Sequence, residues 1–62
     1  MDAFVTMVKT HHVRHGTWEI RYLVWNEEVG DYQILEMQTV YGRGQAYEAA
    51  RSMAEKHQVG IK

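Results

Sequence analysis

The stretch from Thr17 to Tyr41 constrains the fold most, because its two strand-like runs carry apolar side chains in both alternation phases. One phase of the first run is apolar at Trp18, Ile20, Tyr22 and Val24. Leu23 and Trp25 then make the other phase apolar as well. A sheet that is apolar on both faces needs a cover on each face, and a single helix supplies only one cover.

The remaining pattern predicts a single small α+β domain over residues 1–62, in which one C-terminal helix packs on a three-stranded antiparallel sheet. Strands are expected over residues 3–13, 17–25 and 32–41, with turns over residues 14–16 and 26–31. A bulge is expected near Ile34 and Leu35, because the apolar phase changes there. Val59 and Ile61 are expected to tuck against a sheet edge or to add a short extra strand.

An alanine-rich helix is expected over residues 45–57, after the strand-breaking segment Gly42-Arg43-Gly44. Its apolar stripe consists of Ala46, Ala49, Ala50, Met53, Ala54 and His57. Small alanine side chains let such a helix lie close against a sheet. The sequence alone does not determine which face of the sheet this helix covers.

The composition argues against several classes of protein. The chain has no cysteine, so it forms neither a disulfide nor a cysteine-based zinc site, and a cytoplasmic location is expected. Its first residues do not resemble a signal peptide, and no apolar run approaches the roughly 18 residues of a membrane span. Catalysis, a cofactor and a small-molecule substrate are not expected, because so small a domain leaves little room for a pocket that excludes water.

Charge is distributed unevenly, although the formal net charge is only −1. Residues 27–40 contain acidic side chains but neither Lys nor Arg, so the predicted hairpin turn is an acidic pole. A dedicated nucleic-acid binder usually has a basic face, whereas the isoelectric point here is about 6.4. The pattern therefore favours a protein partner. Glu27, Glu28 and Asp31 either bind a basic partner or are simply solvated.

The outward phase of the sheet is the predicted binding site if the helix covers Trp18 and Ile20. Aromatic residues and arginine dominate the centres of protein interfaces, and Trp25 lies close to Arg21 in this phase. The predicted partner-binding residues are Glu19, Arg21, Leu23, Trp25, Leu35 and Met37. In the alternative interpretation this phase forms the core, or Trp25 folds back over the hairpin end.

Two further patterns carry weaker predictions. His11, His12, His15 and His57 are not expected to bind a metal, because zinc needs three or four converging ligands and adjacent histidines on a strand point to opposite faces. Gly42-Arg43-Gly44 either holds an anion at the helix N-terminus or is only a turn.

Two short motifs carry a resemblance to known DNA-binding domains. At Gly16-Thr17-Trp18-Glu19-Ile20-Arg21 and at Glu48-Ala49-Ala50-Arg51, the chain resembles the DNA-binding domains of plant ethylene-response factors and the arm-binding domains of tyrosine integrases. The resemblance spans about residues 4–57. In those families the exposed sheet face enters the DNA major groove, which implies contacts from Arg21 and Trp25. The alternative nucleic-acid-binding set is Arg14, Arg21, Trp25 and Arg43.

We therefore expect a non-enzymatic binding protein that docks a protein partner, or itself as a homodimer, through the apolar sheet face. Small size, the absence of proline and two-faced strands fit the accessory proteins with which phages and other mobile elements inhibit or regulate host machinery. The alternative is a DNA- or RNA-binding module that uses the same face, for which phosphate contacts would make binding steeply salt-dependent.

Overall fold

A sheet crossed by one helix forms the described part of the chain, which comprises residues 2–10 and 16–62 of a computed structural model. The elements are β1 (Ala3–Lys9), β2 (Thr17–Asn26), β3 (Asp31–Tyr41), α1 (Arg43–His57) and β4 (Gly60–Ile61). The strand order is β3-β2-β1-β4, in which β4 runs parallel to β1 and the other pairs are antiparallel. The predicted α+β class, with three main strands, one helix and a short C-terminal strand, is confirmed.

The first strand is shorter than the pattern indicates. β1 ends at Lys9, and Thr10 then donates both its backbone N–H and its hydroxyl to the Thr17 carbonyl oxygen, each at 3.1 Å. Residues 11–15, which include most of the turn expected over residues 14–16, lie outside the described residues.

The hydrophobic core lies between α1 and one face of the sheet. Its buried apolar side chains are Val5, Ile20 and Val40 from the strands and Ala46, Ala50, Met53 and Ala54 from the helix. Trp18 and Tyr22 pack against this cluster and stay partly buried. The predicted helical stripe is thus confirmed, although α1 begins at Arg43 rather than at residue 45. The helix covers the Trp18 and Ile20 phase of β2.

The β2–β3 hairpin turns through an acidic tip. The Asn26 side-chain oxygen accepts the Glu28 backbone N–H at 2.9 Å, and the Gly30 N–H donates to the Asn26 carbonyl at 2.8 Å. Gly30 has φ +74°, which a side chain at Cβ would oppose. The predicted reversal is confirmed. Its acidic residues, Glu27, Glu28 and Asp31, are exposed.

A β-bulge in β3 changes which side chains share a face. The register shifts beside Leu23, so that Ile34 pairs with Leu23 and Glu36 pairs with Tyr22, while Leu35 is left as the extra residue. The bulge expected near Ile34 and Leu35 is confirmed. Its consequence is that Tyr32 and Ile34 lie on the same face as Met37 and Tyr41, although simple alternation separates these two pairs.

The C-terminal end of α1 is fixed by backbone geometry. Gln58 adopts a left-handed conformation (φ 56°), its N–H donates to the Glu55 carbonyl, and the Val59 N–H donates to the Ala54 carbonyl at 3.0 Å. These two bonds form a Schellman motif, which reverses the chain. β4 can then pair with β1, with the Lys62 N–H donating to the Val5 carbonyl at 2.8 Å.

A polar cluster joins the same helix end to the sheet. His57 Nε2 lies 2.7 Å from Glu36 Oε1, and Lys56 Nζ lies 3.2 Å from both oxygens of that carboxylate. The His57 ring also stacks on Tyr22, with ring centroids 3.8 Å apart and planes inclined by 6°. The hydrogen bond from His57, followed by that from Lys56, lowers the pKa of the Glu36 carboxyl below its ordinary value.

Candidate functional site

The sheet face opposite to α1 is the candidate site, and we call it the open face. Side chains of directly paired residues in antiparallel strands lie on the same face. β2 supplies Leu23 and Trp25 to this face, and their partners on β3 are Ile34 and Tyr32. The open face comprises Phe4, Thr6, Val8, Thr17, Glu19, Arg21, Leu23, Trp25, Tyr32, Ile34, Met37, Thr39 and Tyr41.

Large apolar side chains on the open face are accessible to water. The exposed fractions are 38% for Trp25, 49% for Ile34, 53% for Met37 and 67% for Tyr41. Leu23, on the central strand, is partly buried. Leu23 is only partly buried and Trp25 is exposed, so the interpretation that this phase forms the core is wrong. Contiguous exposed apolar side chains of this kind mark interaction surfaces.

Three aromatic rings hold one another in place at the hairpin end of the open face. The Trp25 and Tyr32 rings meet edge to face with centroids 5.1 Å apart, and the Phe4 and Tyr32 rings do the same at 5.1 Å. Edge-to-face contact is one of the arrangements that aromatic pairs favour. The indole of Trp25 is therefore positioned on the open face by its neighbour.

The charges in the middle of the open face are paired with each other. Arg21 donates from Nε, at 3.0 Å, and from Nη2 to the same oxygen, Oε1, of Glu19. This pairing offsets the arginine charge that a phosphate would otherwise meet. At the margin, the Lys62 ammonium lies 5.2 Å from the centroid of the Phe4 ring. The open face thus carries apolar side chains and threonines around an internally balanced ion pair.

The predicted partner-binding residues are mostly brought together. Glu19, Arg21, Leu23, Trp25 and Met37 share the open face. Leu35 is exposed but has no partner on β2, because it is the extra residue of the bulge.

The open face also contains residues that the sequence pattern did not indicate. They are Phe4, Tyr32, Ile34 and Tyr41. The phase change at the bulge was the available signal for Tyr32 and Ile34, and simple alternation from Met37 was the signal for Tyr41. To place Phe4 on the open face, the pairing register of β1 must be known, and the sequence of β1 does not specify that register.

The alternative nucleic-acid set is more dispersed. Arg14 lies outside the described residues, Arg21 is bonded to Glu19, and Arg43 is exposed at the start of α1. Of the four histidines, His57 contacts Glu36, whereas the other three lie outside the described residues. Among residues 2–10 and 16–62, no group of three or more His, Asp or Glu side chains could hold a metal ion.

A groove of about 500 Å³ lies between α1 and β3. It is lined by Gln38, Val40, Gln45, Glu48, Ala49 and Ser52. Most of these residues are exposed, so the groove is open to water and offers no enclosed site. The open face remains the more extensive candidate surface.

No protein-family model matches the chain, and comparisons with curated proteins and with solved structures find no match. The resemblance to ethylene-response-factor and integrase domains therefore stays a prediction. In the part of the chain that the structure describes, no helix is long and apolar enough to cross a membrane.

Proposed function

We propose that this chain is a non-enzymatic binding protein that docks a protein partner through the open face. The observation that carries the proposal is the group of accessible apolar side chains on a hydrogen-bonded sheet, with Ile34 and Met37 each about half exposed. Covering such side chains removes apolar surface from water at about 25 cal/mol per Å². A protein surface provides the apolar complement that this face requires.

Trp25 is the expected anchor of the interface. Its contact with Tyr32 fixes the ring before binding, so little side-chain freedom is lost when a partner covers it. We expect Trp25→Ala to weaken partner binding by about 2 kcal/mol, or about 30-fold in Kd. Leu23→Glu is expected to weaken binding as well, because it places an unpaired carboxylate at the centre of the contact.

The charges of the open face support a protein partner over a nucleic acid. Non-specific nucleic-acid binding depends on several Lys or Arg side chains that neutralise phosphates. Here the guanidinium at the middle of the face is already bonded to Glu19. The role as a phage or mobile-element inhibitor of host machinery stays a prediction attached to this proposal.

Photo-crosslinking in the native host tests the proposal. A photoreactive amino acid replaces Ile34 on the open face or, as the matched control, Tyr47 on the helix, since the two side chains are 49% and 48% exposed. The proposal predicts covalent protein adducts, or covalent dimers of the chain, from position 34 and few from position 47. Equal adduct yields from both positions would overturn it, and adducts of nucleic acid at position 34 would replace it with the alternative.

A further inference from the structure

We infer that the partner of the open face is a second copy of this chain, packed face to face with its strands antiparallel to those of the first. This inference rests on the proposed function and specifies its partner. The observations behind it are the thin core, the available area and the distribution of charge.

The core of a single subunit is thin for a sheet of this size. Of the buried apolar residues among 2–10 and 16–62, Ala46, Ala50 and Ala54 are alanines, and the largest fully buried side chains there are those of Ile20 and Val5. A domain of about 60 residues buries only about 60% of the surface that its unfolded chain exposes. A permanent second layer over the open face would place the sheet between α1 and that layer, so that both of its faces are covered. A second copy provides such a layer wherever the chain is made.

The dimensions of the molecule leave room on one broad face for the interface of a stable dimer. A standard interface removes about 800 Å² from each partner. The whole molecule exposes 4640 Å² and measures 37 × 25 × 15 Å, so it is a slab with two broad faces. α1 occupies one of these faces. The other needs to contribute only about a sixth of the total exposed surface.

The charge balance of the open face permits self-association. A face with a net central charge would repel its own copy across the roughly 10 Å that separates packed sheets. Pairing of Arg21 with Glu19 removes this repulsion at the centre of the face. Apolar side chains can then meet apolar side chains.

The acidic hairpin tip determines the relative direction of the two copies. A two-fold axis parallel to the strands would place both hairpin tips at the same end of the dimer. Glu27, Glu28 and Asp31 of one copy would then face the same carboxylates of the other. Like charges on sheets packed roughly 10 Å apart lie within about one Debye length of each other and repel. A two-fold axis across the strands places the tips at opposite ends, so the antiparallel arrangement is favoured.

Sedimentation velocity of the purified chain over a wide range of concentration tests self-association. We expect a concentration-dependent shift from one copy to two copies. Ile34→Lys is expected to shift the midpoint at least tenfold towards higher concentration, whereas the equally exposed Tyr47→Lys should leave it unchanged. A single-copy species at every concentration, or equal effects of the two substitutions, would overturn the inference.

Cysteine crosslinking tests the arrangement, and the natural chain contributes no background because it has no cysteine. A short bis-maleimide should join two copies through Met37→Cys, which lies about midway along β3 on the open face, and not through Tyr47→Cys on the helix. Glu28→Cys at the tip should give little crosslinked product. Efficient crosslinking at Glu28→Cys would contradict the antiparallel direction, and efficient crosslinking at Tyr47→Cys would contradict the face itself.

The two proposals can fail separately. If the purified chain stays a single copy but position 34 gives heterologous protein adducts in the host, the second-copy inference is wrong and the proposed function stands. If position 34 gives no more adducts than position 47, the proposed function is wrong as well.

Discussion

The two faces of the sheet contain similar residues and differ in what covers them. On the helix-covered face, Ile20 is fully buried beneath α1, whereas on the open face Ile34 is half exposed, although both lie in well-paired strands. Alanines at the contact bring α1 close to the first of these faces. The comparison shows that apolar alternation identifies strands but does not assign the core. The position of α1 over one face does that.

The same Ile→Ala substitution on each face should give the largest difference in the free energy of unfolding. Ile20→Ala is expected to lower the free energy of unfolding by about 2–5 kcal/mol, because it removes packed atoms and leaves a cavity. Ile34→Ala should change it by no more than about 0.5 kcal/mol in a single subunit, because that side chain is half exposed. Urea unfolding, followed at concentrations low enough to keep the copies separate, measures both values.

A milder variant keeps this comparison measurable if Ile20→Ala abolishes cooperative unfolding. Ile20→Val is expected to cost about 0.5–1.5 kcal/mol. Equal costs for the alanine substitutions at positions 20 and 34 would show that the open face is packed within the subunit, and the distinction between the faces would fail.

Larger side chains should also change the free energy of unfolding differently on the two faces, by less than the deletions do. Ala50 is fully buried between α1 and the sheet, so Ala50→Leu is expected to cost about 1–3 kcal/mol through overpacking. Thr39 is exposed and pairs with Glu19 on the open face, so Thr39→Leu should change the free energy of unfolding by about 0.5 kcal/mol or less. Urea unfolding measures the free energies of both variants. A Thr39→Leu cost as large as that of Ala50→Leu would contradict the account.

Acid pH should weaken the helix-covered side through Glu36. Its pKa in the folded chain is lowered from 4.5 by the hydrogen bonds from His57 and Lys56, so the unfolded chain binds the proton more readily. The stabilisation is therefore complete above about pH 4.5 and is lost as the pH falls through the lowered folded pKa. We expect Glu36→Gln to lower the Tm modestly at neutral pH and to reduce its further fall on acidification.

Thermal unfolding between about pH 6 and pH 3 measures this effect. Glu55→Gln, which changes an exposed glutamate of α1, is the control and should follow the natural chain across this range. If Glu36→Gln and Glu55→Gln show the same pH dependence, the cluster around His57 does not contribute to acid stability.

Much of the fold follows from local patterns in the sequence. Alanine spacing predicted the buried stripe of α1, and the change of phase at Ile34 predicted the bulge. The helix-covered face was not predictable, because Leu23 and Trp25 add apolar side chains to the second phase of β2 beside the apolar phase of Ile20. The left-handed Gln58 was not predictable either, since glycine is the usual residue at that position.

Long-range contacts account for the features that no local pattern in the sequence indicated. Phe4 joins Tyr32 across the central strand, and their contact depends on the registers of two strand pairs. Glu36 meets His57 only after the chain has turned through β3 and α1. Spacing along the sequence does not carry this information.

Trp25 gives the most direct test of the central claim that the open face is bare in one subunit and covered on association. Trp18→Phe leaves Trp25 as the only tryptophan, since the chain has two. Acrylamide should quench its fluorescence strongly at low concentration and weakly at concentrations where two copies assemble. Trp25→Phe, which reports on Trp18, should show little change. Trp25 already shielded at the lowest concentration, or equally quenched before and after assembly, would contradict the account.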